Sequence, residues 1–192
     1  MRRKLITYAA ILYGLITLWL GIQFALTAKQ ADAADRVDIA SRNLLIALLD
    51  AETGQRGFLL TGDRSYLEPF ESGRQLLNIR LDELTNATAM IDQKPTNMSE
   101  LYNLTQQKLL EMERTINLRH DDANAAVQIV RSDAGKHLMD QIRGNIDTLQ
   151  LWAITMHEQL QSKATALART DFVSLVATFF LAALAVAVRR AV

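Results

Sequence analysis

Uncharged, mostly apolar residues form two long runs, one near each end of the sequence. Residues 5–28 give 24 consecutive positions without Asp, Glu, Lys or Arg, and residues 172–188 give 17. As α-helices rising ~1.5 Å per residue, the runs would be roughly 36 and 25 Å long, against about 30 Å for the hydrocarbon core of a bilayer. The pattern therefore predicts two transmembrane helices, the second at the short end of the spanning range.

The residues that flank these runs indicate how the chain is oriented. Basic side chains stand at the outer end of each run: Arg2, Arg3, Lys4, Arg189 and Arg190. Because basic clusters beside membrane helices stay in the cytoplasm, both termini are expected there and residues 29–171 outside it. A cleaved signal peptide is the alternative, since Ala31-Asp32-Ala33 resembles a cleavage site. The first run exceeds the ~7–15 apolar residues of a signal peptide, which favours an uncleaved anchor.

The region between the runs has helical spacing with few interruptions. The first interruption is Thr61-Gly62-Asp63. After it, a new helix begins either with a capping box from Ser65 or with Pro69 as its first residue. Both alternatives predict a helix start within a few residues of Gly62.

Further interruptions follow along the chain. Pro95 disfavours helix at the preceding residue, and Asn97 with Glu100 predicts a new N-cap. The apolar pattern weakens again at residues 119–122 and 133–135. The third helix is therefore expected to bend or split before the last helix starts.

Between these interruptions, apolar residues recur at helical intervals. In the second and third segments they are Phe70, Leu77, Leu81, Leu84, Ile91, Leu101, Leu104, Met112 and Ile116. In the last segment they form a coiled-coil-like seam: Ile142, Ile146, Leu149, Ala153, Met156, Leu160 and Leu167. These faces require partners, and no alternation typical of strands competes with them.

Short connections between helices favour antiparallel packing of neighbours in the chain. We therefore predict an all-α protein: an up-down four-helix bundle whose first and last helices continue into the transmembrane helices. The expected divisions are basic flanks at 1–4 and 189–192, transmembrane helices at 5–28 and 172–188, and the bundle at 29–171. Continuous helices would act as rods that carry movement across the bilayer, with the seam transmitting it.

Composition narrows the classes of function. Only 2 residues are Pro and 8 are Gly, which favours long helices. All 21 carboxylates lie within residues 29–171 with 16 of the 21 basic residues, so this region is acidic and has no basic footprint for nucleic acid. The sequence has no Cys, which excludes disulfides and thiolate chemistry.

Residues 48–70 contain more polar residues and glycine than a bundle requires. The residues that make up this motif are Asp50, Glu52, Thr53, Gly54, Gln55, Arg56, Gly57, Gly62, Asp63, Tyr66, Glu68 and Pro69. The motif closely resembles the signature of the third class of CHASE domains, the cyclase and histidine kinase associated sensory extracellular domains of bacterial receptors. The resemblance extends to residues 116–119 and 135–143 and covers most of the region from about 42 to 160.

The resemblance implies the input domain of a two-component histidine kinase or a nucleotide cyclase. Such a domain would work as a homodimer in the bacterial inner membrane, sense an unidentified extracytoplasmic ligand and act on a cytoplasmic transmitter or partner protein. These receptors carry a transmitter after the second membrane helix, whereas the sequence ends four residues beyond Val188. Two expectations stay open: a truncated receptor, or a stand-alone membrane adaptor or interaction subunit that regulates a separate protein.

The motif itself has two interpretations. Asp50, Thr53, Gly54 and Gly57 share one helical face, and Glu52 and Arg56 are spaced to pair on the next. Two glycines in one helix cost roughly 1 kcal/mol each relative to alanine, which indicates a close helix approach. The cluster either locks the end of the bundle or forms a ligand pocket or dimer contact.

The sequence gives little support for a catalytic site or a metal site. Asp50 and Glu52 are two positions apart on a helix and point away from each other. His120, His137 and His157 are too scattered for a ligand pair. Asp121-Asp122 lacks the glycine and distal Glu of a calcium loop, so helix capping is expected there. We expect no catalytic residue, metal or cofactor within this sequence, and no enzyme activity.

Overall fold

The computed structural model describes residues 2–190, except for the side chains of residues 2–4, 6, 185 and 188–190. Within this range five α-helices follow in order: α1 Arg2–Thr61, α2 Glu68–Ala89, α3 Met98–Asp121, α4 Ala123–Arg131 and α5 Ala134–Arg190. A 3-10 helix, Arg64–Leu67, precedes α2, and the described residues include no strand. The side chains expected to set the topology, Arg2, Arg3, Lys4, Arg189 and Arg190, lie outside the described set, as do Met1, Ala191 and Val192.

The described residues form two compact units. The bundle unit is Ala33–Thr155. The paired-helix unit combines the part of α1 before residue 33 with the part of α5 after residue 155. Both α1 and α5 therefore contribute to each unit without a break in helix.

In the bundle unit, α1 and α2 run antiparallel in close contact. A Cβ atom at Gly54 would lie 2.6 Å from the amide nitrogen of Phe70, and one at Gly73 would lie 2.7 Å from the carbonyl oxygen of Ala47. Residue numbers thus fall along α2 as they rise along α1. This arrangement is the first up-down step of the bundle.

The later helices continue the alternation. The Asn97 side chain at the start of α3 donates to the carbonyl oxygen of Asn145 on α5 at 2.8 Å. At the other end of the same pair, a Cβ atom at Gly135 would lie 2.8 Å from a carboxylate oxygen of Glu111. The α3 and α5 helices are therefore antiparallel. The expected all-α, up-down four-helix bundle is confirmed, with α4 as an additional short helix.

The residues expected to face inward do so. Those buried in α2, the following turn and α3 are Phe70, Leu77, Leu81, Leu84, Ile91, Leu101, Leu104 and Met112, while Ile116 is half-buried. On α5, Ile142, Ile146, Leu149 and Ala153 are 0% exposed. Because this part of the seam already fills the interior of a single chain, it is not an outer face of the bundle unit.

The turn between α1 and α2 contains a helix cap that was not predicted from the sequence. Gly62 follows α1 with φ of 73°, in the left-handed region that glycine adopts without strain. The Asp63 carboxylate then accepts the Ser65 N–H at 2.9 Å and caps the 3-10 helix. Pro69 lies in the first turn of α2. The Pro69 alternative is one residue late, because α2 begins at Glu68. The capping box from Ser65 is wrong, because Ser65 lies within the 3-10 helix that Asp63 caps.

Two further helix starts were expected from polar residues. Asn97 is the N-cap of α3 by position, but its side chain makes no capping bond because it donates across the bundle to Asn145. Asp122 separates α3 from α4 and accepts the Ala125 N–H at 3.0 Å. The predicted split of the third helix and the predicted capping role at Asp121-Asp122 are confirmed for Asp122.

In the paired-helix unit, α1 and α5 run antiparallel. The hydroxyls of Thr17 and Ser174 are 2.8 Å apart, and Nδ1 of His157 lies 3.1 Å from the carbonyl oxygen of Ala31. Both helices contain an 18-residue stretch that is apolar enough to span a membrane and only 6% buried. Such exposure is unlike that of a core helix. Of the three seam residues in this unit, Met156 is buried, whereas Leu160 and Leu167 are half-buried.

Candidate functional site

The motif residues on α1 divide between the interior of the bundle unit and its surface. Glu52 and Gln55 are buried, at 6% and 3% exposed. Asp50, Thr53 and Arg56 are exposed. The face predicted from Asp50, Thr53 and the two glycines is therefore only partly used in packing, and the buried polar side chains lie on the face directed at α3.

Gly54 and Gly57 allow the chain that follows α1 to return close to it. A Cβ atom at Gly57 would lie 2.6 Å from Cδ1 of Tyr66, and one at Gly54 would lie 2.9 Å from the carbonyl oxygen of Tyr66. A larger residue at either position would displace the 3-10 helix or the start of α2. The close approach predicted from the two glycines is confirmed, and Tyr66 is the motif residue that fills the space beside Gly57.

The remaining motif residues build the exposed turn. Asp63, Glu68 and Pro69 are exposed, and the last two begin α2. The hydrogen bonds from the backbone N–H and then the side chain of Ser65 hold the pKa of the Asp63 carboxyl below its ordinary value of 3.8. The charged carboxylate is thereby favoured as the cap of the 3-10 helix.

A buried group of charges lies where α1 meets α3. Lys108 is only 2% exposed, and its ammonium lies 3.2 Å from Glu52 and 2.9 Å from Glu111. Arg56 adds a second cation at 3.1 Å from Glu52, as its spacing on the helix predicted. The four side chains of this ion cluster, Glu52, Arg56, Lys108 and Glu111, link the motif to α3.

Within the ion cluster, neighbouring opposite charges offset the free-energy cost of burying each other. Burying a charge costs several kcal/mol per ion (order of magnitude), and an opposite charge within hydrogen-bond distance offsets that cost. Lys108 contacts both carboxylates at once, so Glu52 and Glu111 both depend on it for charge compensation. The cluster specifies the pairing of α1 with α3 more than it adds to stability.

Neutral hydrogen bonds extend the same α1–α3 contact. The Gln55 side-chain amide donates to the hydroxyl of Thr115, which is 0% exposed. The Arg119 guanidinium donates to the carbonyl oxygen of Leu59 at 3.0 Å, near the end of α1 where carbonyls lack helical partners. Residue numbers rise together along the two helices, so α1 and α3 run parallel.

The α3 half of this site was not predicted from the sequence; its residues are Lys108, Glu111, Thr115 and Arg119. One signal was present. Lys108 lies four positions after Leu104 and four before Met112, which places a cation on the stripe that faces the core. A lysine at such a position requires a buried acidic partner, and Glu52 of the motif was the available candidate.

A cavity of about 460 Å³ opens beside the ion cluster. We call it the cluster cavity; it is lined by Glu52, Gln55, Arg56, Leu59, Leu60, Lys108, Glu111, Val127, Val130, Arg131, Asp133, Gly135 and Lys136. Its volume lies in the range of about 300–1,000 Å³ that is typical of small-molecule sites. Three motif residues reach it, and the predicted site residues Asp50, Thr53, Gly54 and Gly57 do not.

Two of the three histidines, His120 and His157, make their side-chain contacts with residues that do not line this cavity. His120 is exposed beside Asp121 at 2.8 Å, and His157 contacts Ala31 and Gln161 in the paired-helix unit. Among the residues searched, no three His, Cys, Asp or Glu side chains are grouped as metal ligands. The chemistry that the cavity offers is thus ion pairing, hydrogen bonding and apolar contact.

Comparison with known proteins identifies the family. A family model described as the CHASE3 domain matches residues 27–164, which include the motif, the ion cluster and the cluster cavity. No match is found among curated proteins or among solved structures. CHASE3 domains are sensory, extracellular-type domains of signalling receptors and are not catalytic. With the family model covering most of its length, the chain belongs to the CHASE3 family.

Proposed function

We propose that this chain is the extracytoplasmic sensory input module of a transmembrane receptor of the two-component histidine kinase or nucleotide cyclase type. One observation carries the proposal. The α1 and α5 helices each run without interruption from a candidate membrane span into the bundle unit. A domain built in this way has two helices along which a change in the bundle reaches the membrane.

The orientation in this proposal follows from charge. The basic residues outside the two apolar runs keep both termini in the cytoplasm of a bacterial cell, with the chain crossing the inner membrane twice. Residues 29–171 are then outside, between transmembrane helices at 5–28 and 172–188. The partners are the lipid bilayer, a second copy of the chain and a cytoplasmic transmitter or partner protein.

Transmission requires two arrangements of α1 and α5 of similar free energy. A stimulus that binds one arrangement more tightly shifts the population by no more than the difference between its two binding free energies. A tenfold shift needs about 1.4 kcal/mol, which is small compared with the packing free energy of a bundle. We propose that α5 is displaced along its seam.

The test joins the full chain after Val192 to a histidine kinase transmitter and measures phosphorylation in membranes. Ala153 is 0% exposed, so Ala153→Leu overpacks the seam and should change kinase output. Gln159→Leu places the same side chain at an exposed position of α5 and should leave output unchanged. Unchanged output in Ala153→Leu, with normal expression and protease resistance, would refute transmission along the seam.

A further inference from the structure

The proposed sensory function leaves the ligand unnamed, and the cluster cavity limits its chemistry. We propose that this cavity binds a small organic anion that carries one carboxylate and a short apolar portion. The inference rests on the proposed function for its biological meaning, but the binding itself is a property of the bundle unit alone.

The charges at the cavity are not balanced. Four cationic and three anionic side chains line it. Lys108 and Arg56 already pair with Glu52 and Glu111. Asp133 is the third carboxylate of the lining, so the four cations exceed the anions by one. Arg131 and Lys136, by contrast, have no acidic partner among the described side chains. A free anion would supply that partner, and the guanidinium of Arg131 can hold both oxygens of a carboxylate.

The walls of the cavity are apolar where they meet solvent. Leu60 is 84% exposed, and Val130 and Val127 are 46% and 38% exposed. Covering such side chains gains about 25 cal/mol per Å² of apolar surface removed from water. An inorganic anion would leave these three side chains exposed, whereas an anion with a hydrocarbon portion would cover them.

The short helix α4 is suited to respond to an occupant. Ala126 is its only buried residue, so little buried side-chain surface holds α4 in place. It is followed by Asp133, a non-glycine residue with φ of 58°, and α5 begins at the next position, Ala134. An anion held between Arg131 of α4 and Lys136 of α5 would fix these two helices together and so act at the start of α5.

The test uses the full chain in lipid nanodiscs and titration calorimetry with hexanoate. We expect hexanoate to bind, acetate to bind at least about tenfold more weakly because it lacks the apolar portion, and hexylammonium not to bind. Arg131→Gln and Lys136→Gln should each weaken hexanoate binding about tenfold or more. Both residues are exposed, so the fold is retained. Arg114→Gln, an exposed cation outside the cavity, is the control and should have no effect.

Several results would overturn the proposal. They are absence of hexanoate binding, equal binding of hexylammonium or acetate, tighter binding of inorganic phosphate, and an equal effect of Arg114→Gln. Amide hydrogen exchange in α4 should slow on addition of hexanoate, and unchanged exchange would exclude the role given to α4.

The same measurements separate this proposal from the sensory function. Hexanoate that binds without changing output in the receptor fusion would confirm the site and argue against the sensory function. Output that depends on Ala153, in a chain that binds none of the anions by calorimetry, would support the sensory function and reject the anion site.

Discussion

Lys108 is the residue on which the α1–α3 contact depends most. Its ammonium contacts both Glu52 and Glu111, and the residue is only 2% exposed. Removal of one partner from a buried ion pair is costly because the other charge loses its compensation, whereas replacement of the whole group by neutral residues is often tolerated. Stability should therefore respond very differently to single and combined substitutions.

We predict that Lys108→Met destabilises the bundle by about 3–5 kcal/mol, because the buried Glu52 and the half-buried Glu111 lose their shared cation. Thermal unfolding of the full chain in nanodiscs, followed by circular dichroism, should show a fall in Tm of roughly 10–20 °C. The triple variant Glu52→Gln, Lys108→Met, Glu111→Gln should recover most of this loss.

Lys163→Ala removes an exposed lysine from α5 and serves as the control. A Lys108→Met variant as stable as this control would show that the ion cluster does not hold α1 against α3.

For individual residues, the sequence indicated one member of each contact but not its partner. Gly54 and Gly57 indicated a close approach, since glycine within a helix is otherwise unfavourable. Their partner Tyr66 stood in the same motif, but nothing in the local pattern paired the two. Glu52 was matched with Arg56 because four positions along a helix are neighbours, whereas its contact with Lys108 lies 56 positions away and depends on the tertiary fold.

Among the helices, starts and ends were predicted well where proline or glycine determined the backbone. Gly62 and Pro69 bound the turn after α1 because one accepts positive φ and the other favours a first helical turn. Asn97 was harder, because its side chain has a choice between its own helix and Asn145 on α5. The local sequence does not determine which of these two bonds the side chain makes.

The α5 helix has an inner and an outer apolar face, and the two have different partners. Leu149 and Ile146 are 0% exposed within one chain, whereas Leu151 and Ile154 are 68% and 46% exposed. The proposed homodimer would therefore use the outer face. Cysteines placed at 151 and 154 should cross-link between chains in oxidised membranes, which is a clean measurement because the sequence has no native Cys.

Cysteines at 146 and 149 are the matched controls on the same helix and should not cross-link between folded chains. Strong cross-links at these two positions would mean that the seam pairs with a second chain instead of with its own bundle.

The molecule as a whole was predictable as a class because its two strongest patterns, apolar runs and helical spacing, are both local. The all-α bundle and the two candidate spans follow from them. The cluster cavity was not predictable, because it is formed by residues from α1, α3, α4, α5 and the turn before α5, brought together only by packing.

The orientation of the whole chain can be tested by labelling. A single cysteine at Leu60, which is 84% exposed, should react with a membrane-impermeant maleimide in intact cells if the proposed orientation places the bundle outside. Leu48→Cys, at a position that is 0% exposed, should react only after unfolding. If Leu60→Cys reacts only in permeabilised cells, the bundle is cytoplasmic.

The hydroxyl pair of Thr17 and Ser174 has a consequence for motion. Thr17 donates to the carbonyl oxygen of Tyr13 at 2.9 Å, so the proton between the two hydroxyls comes from Ser174. Polar contacts of this kind between membrane helices are worth on average about 0.6 kcal/mol, close to the thermal energy RT. The bond therefore favours one rotational setting of the two helices, but by itself it is too weak to fix that setting.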